Sequence, residues 1–190
     1  MSTSNPSHQP LEAEQILAVA NGDRLAFSDV YDRCANPVFA LAMAMLRNKT
    51  EAEDLLQEVM VKVWTKASSY NAKNGSPLTW IMAMTRNGAI DRIRKGKRGP
   101  TIENSLMEEE NLKSEQNDGL QSLQMNETRH LVRRSLLQLP SEQRQALELA
   151  YFSGLTHSEI AVNLNIPVGT IKARIRRGMQ KLHGELQSIL

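Results

Sequence analysis

The spacing of apolar positions predicts helices along almost the whole chain. Apolar residues recur every three or four positions, which is the period of one helical face, as in Leu55, Leu56, Val59, Val63 and Trp64. We expect helices at about residues 11–21, from 23 onward, 51–68, 77–94, 127–139, 141–154, 156–164 and 168–182. The pattern therefore predicts an all-α fold with two small helical domains joined by an acidic flexible linker, the C-terminal domain being a helix-turn-helix.

Local signals mark several helix ends. Thr50 with Glu53, and Thr156 with Glu159, have the spacing of a capping box. Ser76-Pro77 is a cap followed by proline at the first helical position, and this helix should run through residue 94 and stop at Gly96 or Gly99-Pro100. Asn36-Pro37 is expected to break or kink the helix that Asp23 caps.

The segment from Thr156 to Leu182 predicts a helix, a tight turn and a basic helix. Asn165-Ile166-Pro167 should end the first of these helices. At about 100° per residue, Ile171, Ile175 and Leu182 share the core side of the second helix. The opposite side and its flanks carry small and basic residues, which suit contact with base edges and phosphates in the major groove. Candidate DNA contacts are Thr170, Lys172, Ala173, Arg174, Arg176 and Arg177. The alternative is a solvated basic helix that packs on a partner.

Composition and charge support a nucleic-acid partner. Aromatic residues make up 4% of the 190 residues, and the net charge is only +2. Residues 86–98 contain six basic side chains and one acidic one, whereas residues 103–118 contain six acidic side chains and one basic one. Two basic blocks separated by an acidic one suggest two nucleic-acid contacts and a spacer. We expect a disordered N-terminus at 1–10, domains at 11–99 and 127–190, and a linker at 100–126.

Several function classes are disfavoured. Cys34 is the only cysteine, so an intramolecular disulfide is impossible and a reducing compartment is expected. No stretch approaches the length of a transmembrane helix, and residues 1–10 lack an apolar signal core. We expect a cytoplasmic protein without direct membrane insertion. The four histidines are scattered and no nucleophile is paired with a base, so no catalysis, metal or cofactor is expected.

Three stretches, in order, resemble one family. Residues 51–64 resemble the polymerase-binding segment of bacterial sigma factors, residues 78–95 resemble their promoter-melting helix, and residues 139–144 and 166–174 resemble their C-terminal domain. The order and spacing are similar to those of extracytoplasmic-function (ECF) sigma factors of the sigma-70 family, over about residues 15–187. The resemblance implies a non-catalytic specificity subunit that directs core RNA polymerase to promoters.

The resemblance assigns roles to three sets of residues. The outer face of the 51–64 helix would grip a coiled coil on the polymerase clamp, through Asp54, Gln57, Glu58 and Val61. In isolation this helix also fits a solvated amphipathic helix. The second domain would bind the minus-thirty-five element. The linker would thread toward the RNA-exit path, and the resemblance also implies an anti-sigma factor as a partner.

The minus-ten element would be melted by the loop 69–76 and the helix after it. Trp80, Met84, Asn87, Asp91, Arg94 and Lys95 share one side of this helix, and Met82, Ala89, Ile90 and Ile93 should be core. Candidate contacts to single-stranded DNA are Asn71, Lys73, Asn74, Trp80, Met84, Asn87, Arg92, Arg94 and Lys95. Two alternatives stay open: a buried core position for Trp80, and an intrahelical salt bridge for Asp91.

Two other functions are weighed against this one. A free-standing helix-turn-helix regulator would bind operators as a dimer, without polymerase, but it leaves the Trp80 helix and the Asp54 face unexplained. A DNA- or RNA-processing enzyme would use the basic segments as substrate tracks. The lack of a metal-ligand cluster in the sequence argues against the enzyme, and metal-dependent cleavage would support it.

Overall fold

Helices and turns make up the part of the chain that the structure describes. The structure is a computed structural model that describes residues 11–96 and 134–187. It contains no strand in these ranges, which confirms the all-α class. Chain contacts divide the protein into two units, Met1–Gly99 and Pro100–Leu190. The expected disordered N-terminus, the linker and its acidic block lie outside the described residues, as do residues 127–133 of one expected helix.

The described part of the first unit, residues 11–96, contains four α-helices. They are α1 (Ala13–Ala20), α2 (Arg24–Leu46), α3 (Lys49–Lys66) and α4 (Pro77–Lys95). Two short 3-10 turns, Ala67–Ser69 and Ala72–Asn74, connect α3 to α4. The long helix α2 packs against the other three, and α3 also packs against α4. Their shared core includes the fully buried side chains of Ile16, Val30, Leu55, Val59 and Ile81. Burying each such side chain stabilises the fold by about 1.5–3 kcal/mol.

Two expected helix boundaries are wrong. Helix α2 continues through Pro37, so the expected break is absent. Proline removes one hydrogen bond and crowds the preceding turn, and the burial of Cys34 and Val38 on either side offsets that cost. Helix α3 begins at Lys49, and the side chain of Asn48 accepts the N–H of Glu51 at 3.1 Å. Thr50 lies inside the first turn rather than at a capping box, since Asn48 already fills the cap position.

Helix α4 begins and ends as predicted. Ser76 Oγ accepts the N–H of Thr79 at 3.3 Å, Pro77 occupies the first turn, and Gly96 follows the last helical residue. The expected core face is only partly confirmed. Ala89 and Ile90 are buried as expected, but Ile81 and Thr85 are fully buried while Met82 and Ile93 are only half-buried.

A close approach between α4 and α3 accounts for this face. A Cβ added at Gly88 would stand 2.6 Å from Cδ1 of Leu55. The helices therefore meet on the side of α4 that carries the glycine. Ile81, Thr85 and Gly88 follow one another at helical spacing on that side, and this is why they replace Met82 in the core.

In the second unit, the described residues 134–187 form a helix-turn-helix with further helical segments before it. Residues 134–138 are helical, and α5 (Ser141–Tyr151), α6 (His157–Leu164) and α7 (Val168–Gln187) follow. The capping box of α6 is confirmed: Thr156 Oγ1 accepts the N–H of Glu159 at 3.2 Å, and the Glu159 carboxylate accepts the N–H of Thr156 at 2.6 Å. Asn165 ends α6 in the left-handed conformation, at φ 53°. The core of this unit contains Leu149, Ile160, Ala161 and Ile171.

Candidate nucleic-acid and partner interfaces

The outer face of α3 presents the four predicted residues together. Asp54, Gln57, Glu58 and Val61 are all exposed, and with Lys62 they line an open surface depression. Val61 exposes 61% of its surface, one helical turn beyond Gln57 and Glu58. On the opposite side of the same helix, Leu55, Val59 and Val63 are fully buried. The face thus combines an exposed apolar residue with two carboxylates, an amide and the partly buried Lys62. The two carboxylates suit a basic partner surface.

Arg92 has a different environment from the one predicted. Its Nη1 donates to the Glu51 carbonyl oxygen at 2.7 Å, and its Nη2 donates to Glu58 Oε1 at 2.7 Å. The Arg92 side chain exposes 21% of its surface, whereas that of Glu58 exposes 55%. Arg92 was expected among the DNA contacts, and the structure instead places its head group on α3, beside the outer face.

The loop between α3 and α4 is held by its own side chains. Asn71, Lys73 and Asn74 are exposed, as a contact to DNA requires. Asn71 Oδ1 accepts the N–H of Lys73 at 3.0 Å and caps the turn Ala72–Asn74. Gly75 adopts φ 129°, a conformation that L-residues rarely tolerate.

Tyr70 is a residue of this loop that the sequence reasoning missed. Its hydroxyl donates to the Gly75 carbonyl oxygen at 3.0 Å, and its ring centroid lies 5.5 Å from that of Trp80. The hydroxyl closes the loop across five residues, and the ring joins the loop to the first turn of α4. An aromatic residue at the start of a polar loop was the signal that could have identified it.

The predicted DNA side of α4 is exposed along most of its length. Asn87, Asp91, Arg94 and Lys95 are exposed, and Trp80 and Met84 are half-buried. Trp80 is therefore not the fully buried core residue of the alternative interpretation. The exposed residues place an amide, a carboxylate and two cations along one side, with the half-buried Trp80 indole near the loop.

On α7, most of the predicted contacts face solvent. Thr170, Lys172, Arg176 and Arg177 are exposed, and Ile171 on the opposite side is fully buried. Two predicted contacts, Ala173 and Arg174, are half-buried. Arg174 Nη2 lies 2.8 Å from Glu142 Oε2 on α5, and its side chain exposes only 20% of its surface. This ion pair joins α7 to α5, so the Arg174 head group contacts the second unit itself rather than projecting freely into solvent.

Burial perturbs the ionisation of Cys34 and Glu148, which are not among the predicted contact residues. Burial raises the pKa of the Cys34 thiol to about 11, an effect only partly offset by Arg33. Burial also raises the pKa of Glu148, against the opposing effect of Arg144. Within residues 11–96 and 134–187, no cluster of three or more His, Cys, Asp or Glu side chains could hold a metal ion. No helix in those ranges is long and apolar enough to cross a membrane.

The chain is similar to known proteins over both units. Residues 30–99 match sigma-70 region 2, and residues 129–182 match sigma-70 region 4. It is 34% identical over 170 residues to the ECF RNA polymerase sigma factor SigK of Mycobacterium ulcerans, covering 90% of each chain. It is 32% identical over 188 residues to SigW of Bacillus subtilis, covering 93% of this chain and 97% of that one. Among solved structures, Rhodobacter sphaeroides SigE in complex with the anti-sigma ChrR is 29% identical, with 88% of this chain and 95% of that chain covered and a TM-score of 0.46.

Proposed function

Because this chain belongs to the ECF sigma factors of the sigma-70 family and directs RNA polymerase to promoters, we propose that three surfaces divide this work. The outer face of α3 binds core polymerase. The Ser69–Ser76 loop and the exposed side of α4 capture single-stranded minus-ten DNA. The exposed side of α7 binds the minus-thirty-five duplex. The observation that carries the proposal is the exposure of most of the predicted contact residues, fourteen of nineteen, on or beside helices whose opposite faces are buried.

The α3 face has the composition of a protein-docking surface. Val61 supplies an apolar side chain that is 61% exposed, and Asp54 and Glu58 supply negative charge on the same face. Apolar contact contributes affinity, while the carboxylates favour a basic partner and disfavour an acidic one. This combination supports a basic coiled coil of the polymerase clamp as the partner.

The melting surface must offset the cost of unpairing a base. Extruding a base costs a few kcal/mol, and stacking or pocketing it returns about 1–3 kcal/mol. Since these terms nearly cancel, a polar loop that favours one base can decide which promoter opens. Asn71, Lys73 and Asn74 supply exposed polar groups for that choice, and Arg94 and Lys95 attract the strand's phosphates.

The α7 surface suits duplex DNA because its cations surround small side chains. Arg176 and Arg177 project from the side opposite Ile171, and Lys172 lies on the flank. Arg174 has a separate role in this proposal. Its pair with Glu142 orients α7 on α5, and thereby the other contacts, rather than binding DNA directly.

Further properties follow from family membership. We propose that the protein is a non-catalytic subunit, acts in the cytoplasm without a cofactor, and is held inactive by an anti-sigma factor. The linker at 100–126 would extend toward the RNA-exit path. These proposals rest on the family and not on the geometry of the described residues.

Run-off transcription on a genomic promoter library tests the proposal. Purified core polymerase with this protein should initiate at a limited set of promoters, and Asp54→Lys with Glu58→Lys should weaken core binding while leaving helicity intact. Unchanged affinity of that variant in a pull-down would remove the docking assignment. Specific DNA binding by the protein alone would instead favour the free-standing regulator, and divalent-metal-dependent cleavage would favour the processing enzyme.

A further inference from the structure

Arg92 connects two elements to which different tasks are assigned. It belongs to the last turn of α4, beside the exposed Asp91, Arg94 and Lys95, yet its guanidinium lies on α3. One nitrogen donates to the Glu51 carbonyl oxygen and the other to Glu58 Oε1, both at 2.7 Å. Glu51 and Glu58 are seven residues, about two helical turns, apart along α3, and the guanidinium bridges the backbone of the first and the side chain of the second.

This geometry restricts Glu58 more than Arg92. Glu58 is exposed by 55% and would otherwise sample several rotamers, whereas Arg92 is exposed by only 21% and is anchored a second time on a backbone oxygen. A planar guanidinium can hold two acceptors at once because its donors have a fixed fork geometry. Arg92 engages Oε1 of Glu58, and a carboxylate has acceptor capacity on both oxygens.

We propose that Arg92 is a positioning residue for polymerase docking: it fixes the Glu58 carboxylate in the orientation in which a cation of core polymerase is bound. Arg92 is then not a DNA contact, although it lies in the basic turn of α4. This inference rests on the proposed docking role of the α3 face. Ordering a rotamer-rich side chain before binding removes a cost that corresponds to about a 2- to 10-fold change in affinity.

The first arm of the test measures core-polymerase affinity of the full-length protein. Arg92→Gln should weaken binding about 2- to 10-fold. Arg92→Lys should retain more affinity than Arg92→Gln but less than the wild type, because an ammonium lacks the planar pair of donors of a guanidinium. The losses of Arg92→Gln and Glu58→Gln should be clearly less than additive in the double variant. Arg33→Gln is the matched control: it removes another half-buried ion pair of the same unit, with Asp29 at 2.9 Å, and should leave core affinity unchanged.

The second arm measures the salt dependence with which the holoenzyme binds single-stranded minus-ten DNA. Removing a phosphate contact lowers the slope by about 0.7 for a single strand. Arg94→Gln should show this change and Arg92→Gln should not. A purely structural loss would lower the thermal stability of both Arg92→Gln and Arg33→Gln. Core-polymerase affinity and the salt slope of DNA binding instead report docking and DNA contact specifically.

The possible results distinguish the positioning role of Arg92 from the docking role of the α3 face. If Glu58→Gln weakens core binding but Arg92→Gln does not, or if the two losses add fully, Arg92 does not position Glu58. A reduced salt slope in Arg92→Gln would return Arg92 to the DNA contacts and overturn the inference. If Glu58→Gln leaves core affinity unchanged, this inference fails, whereas the docking role of the α3 face fails only if the variant with both Asp54→Lys and Glu58→Lys also binds core polymerase normally.

Discussion

Gly178 of α7 lies so close to Leu147 of α5 that a Cβ at position 178 would stand 2.7 Å from Leu147 Cδ1. The same added atom would lie 3.4 Å from the Cβ of Gln143. Position 178 is buried, so the helices have little room to separate. The glycine therefore sets the distance between α5 and α7, and with it the orientation of the proposed DNA-binding helix.

Gly178→Ala should consequently destabilise the second unit, because overpacking costs about 1–3 kcal/mol while the helical preference of alanine offsets only about 0.5–1 kcal/mol of it. Gly184→Ala on the same helix is the control, because nothing lies within 4 Å of its added Cβ. That change should instead stabilise the unit by about 0.5–1 kcal/mol. Both tryptophans, Trp64 and Trp80, belong to the first unit, so circular dichroism should report the shift in denaturant unfolding while tryptophan fluorescence should not. Equal effects of the two alanines would contradict the close-packing account.

Sequence signals predicted the elements that depend on neighbouring residues. The capping box at Thr156 and the Ser76-Pro77 start need only a few adjacent positions, and the structure contains both. The start of α3 was wrong because Asn48 and Thr50 are both good caps, and only the path of the chain leaving α2 selects Asn48. Likewise, the burial of α2 on three neighbours, not its local sequence, carries the helix through Pro37.

The candidate surfaces were predictable as faces but not residue by residue. Helical periodicity placed the exposed residues of α3 and α7 correctly, since a face follows from spacing alone. Arg92 and Arg174 could not be assigned in this way. Their partners, Glu58 and Glu142, lie about thirty residues away along the chain, and only the packing of helices brings each pair together.

The exposed arginines of α7 should be required for upstream promoter contact. Alanine at both Arg176 and Arg177 should lower initiation at promoters that depend on the minus-thirty-five element, because a specific base contact is worth about 1–3 kcal/mol. Lys181→Ala, which removes another exposed cation of α7, is the control and should have a smaller effect. Footprinting and transcription by the double variant that match the wild type would exclude these two residues as contacts.

The buried thiol of Cys34 predicts a pH-dependent stability of the first unit. Burial raises its pKa from 9.0 to about 11, so the folded state favours the protonated thiol. The stability that this provides is complete below about pH 9 and is lost as the pH rises through 11. Unfolding experiments between pH 8 and 11 should show the decline, and Cys34→Ala, although less stable overall, should show a flatter profile. An equally steep decline in the variant would assign it to other groups.

The same burial should protect Cys34 from chemical modification. The side chain is 1% exposed, so a thiol reagent at pH 8 can reach it only when the first unit opens. We expect slow labelling of the native protein, and rapid stoichiometric labelling in denaturant. Rapid labelling without denaturant would show that α2 is not packed as described.

In the proposed function, the loop and α4 melt promoter DNA while α3 binds polymerase. Permanganate reactivity of unpaired promoter thymines tests this assignment most directly. Two variants are compared with the wild type in holoenzyme: Asn87→Ala, and alanine at Asn71, Lys73 and Asn74 together. Both should bind core polymerase almost normally, because these residues lie off the α3 face, but should form the bubble slowly. A pre-melted template should restore much of their activity, since the cost of unpairing is then removed. Normal bubble formation by both variants would contradict the placement of promoter melting on this loop and on α4.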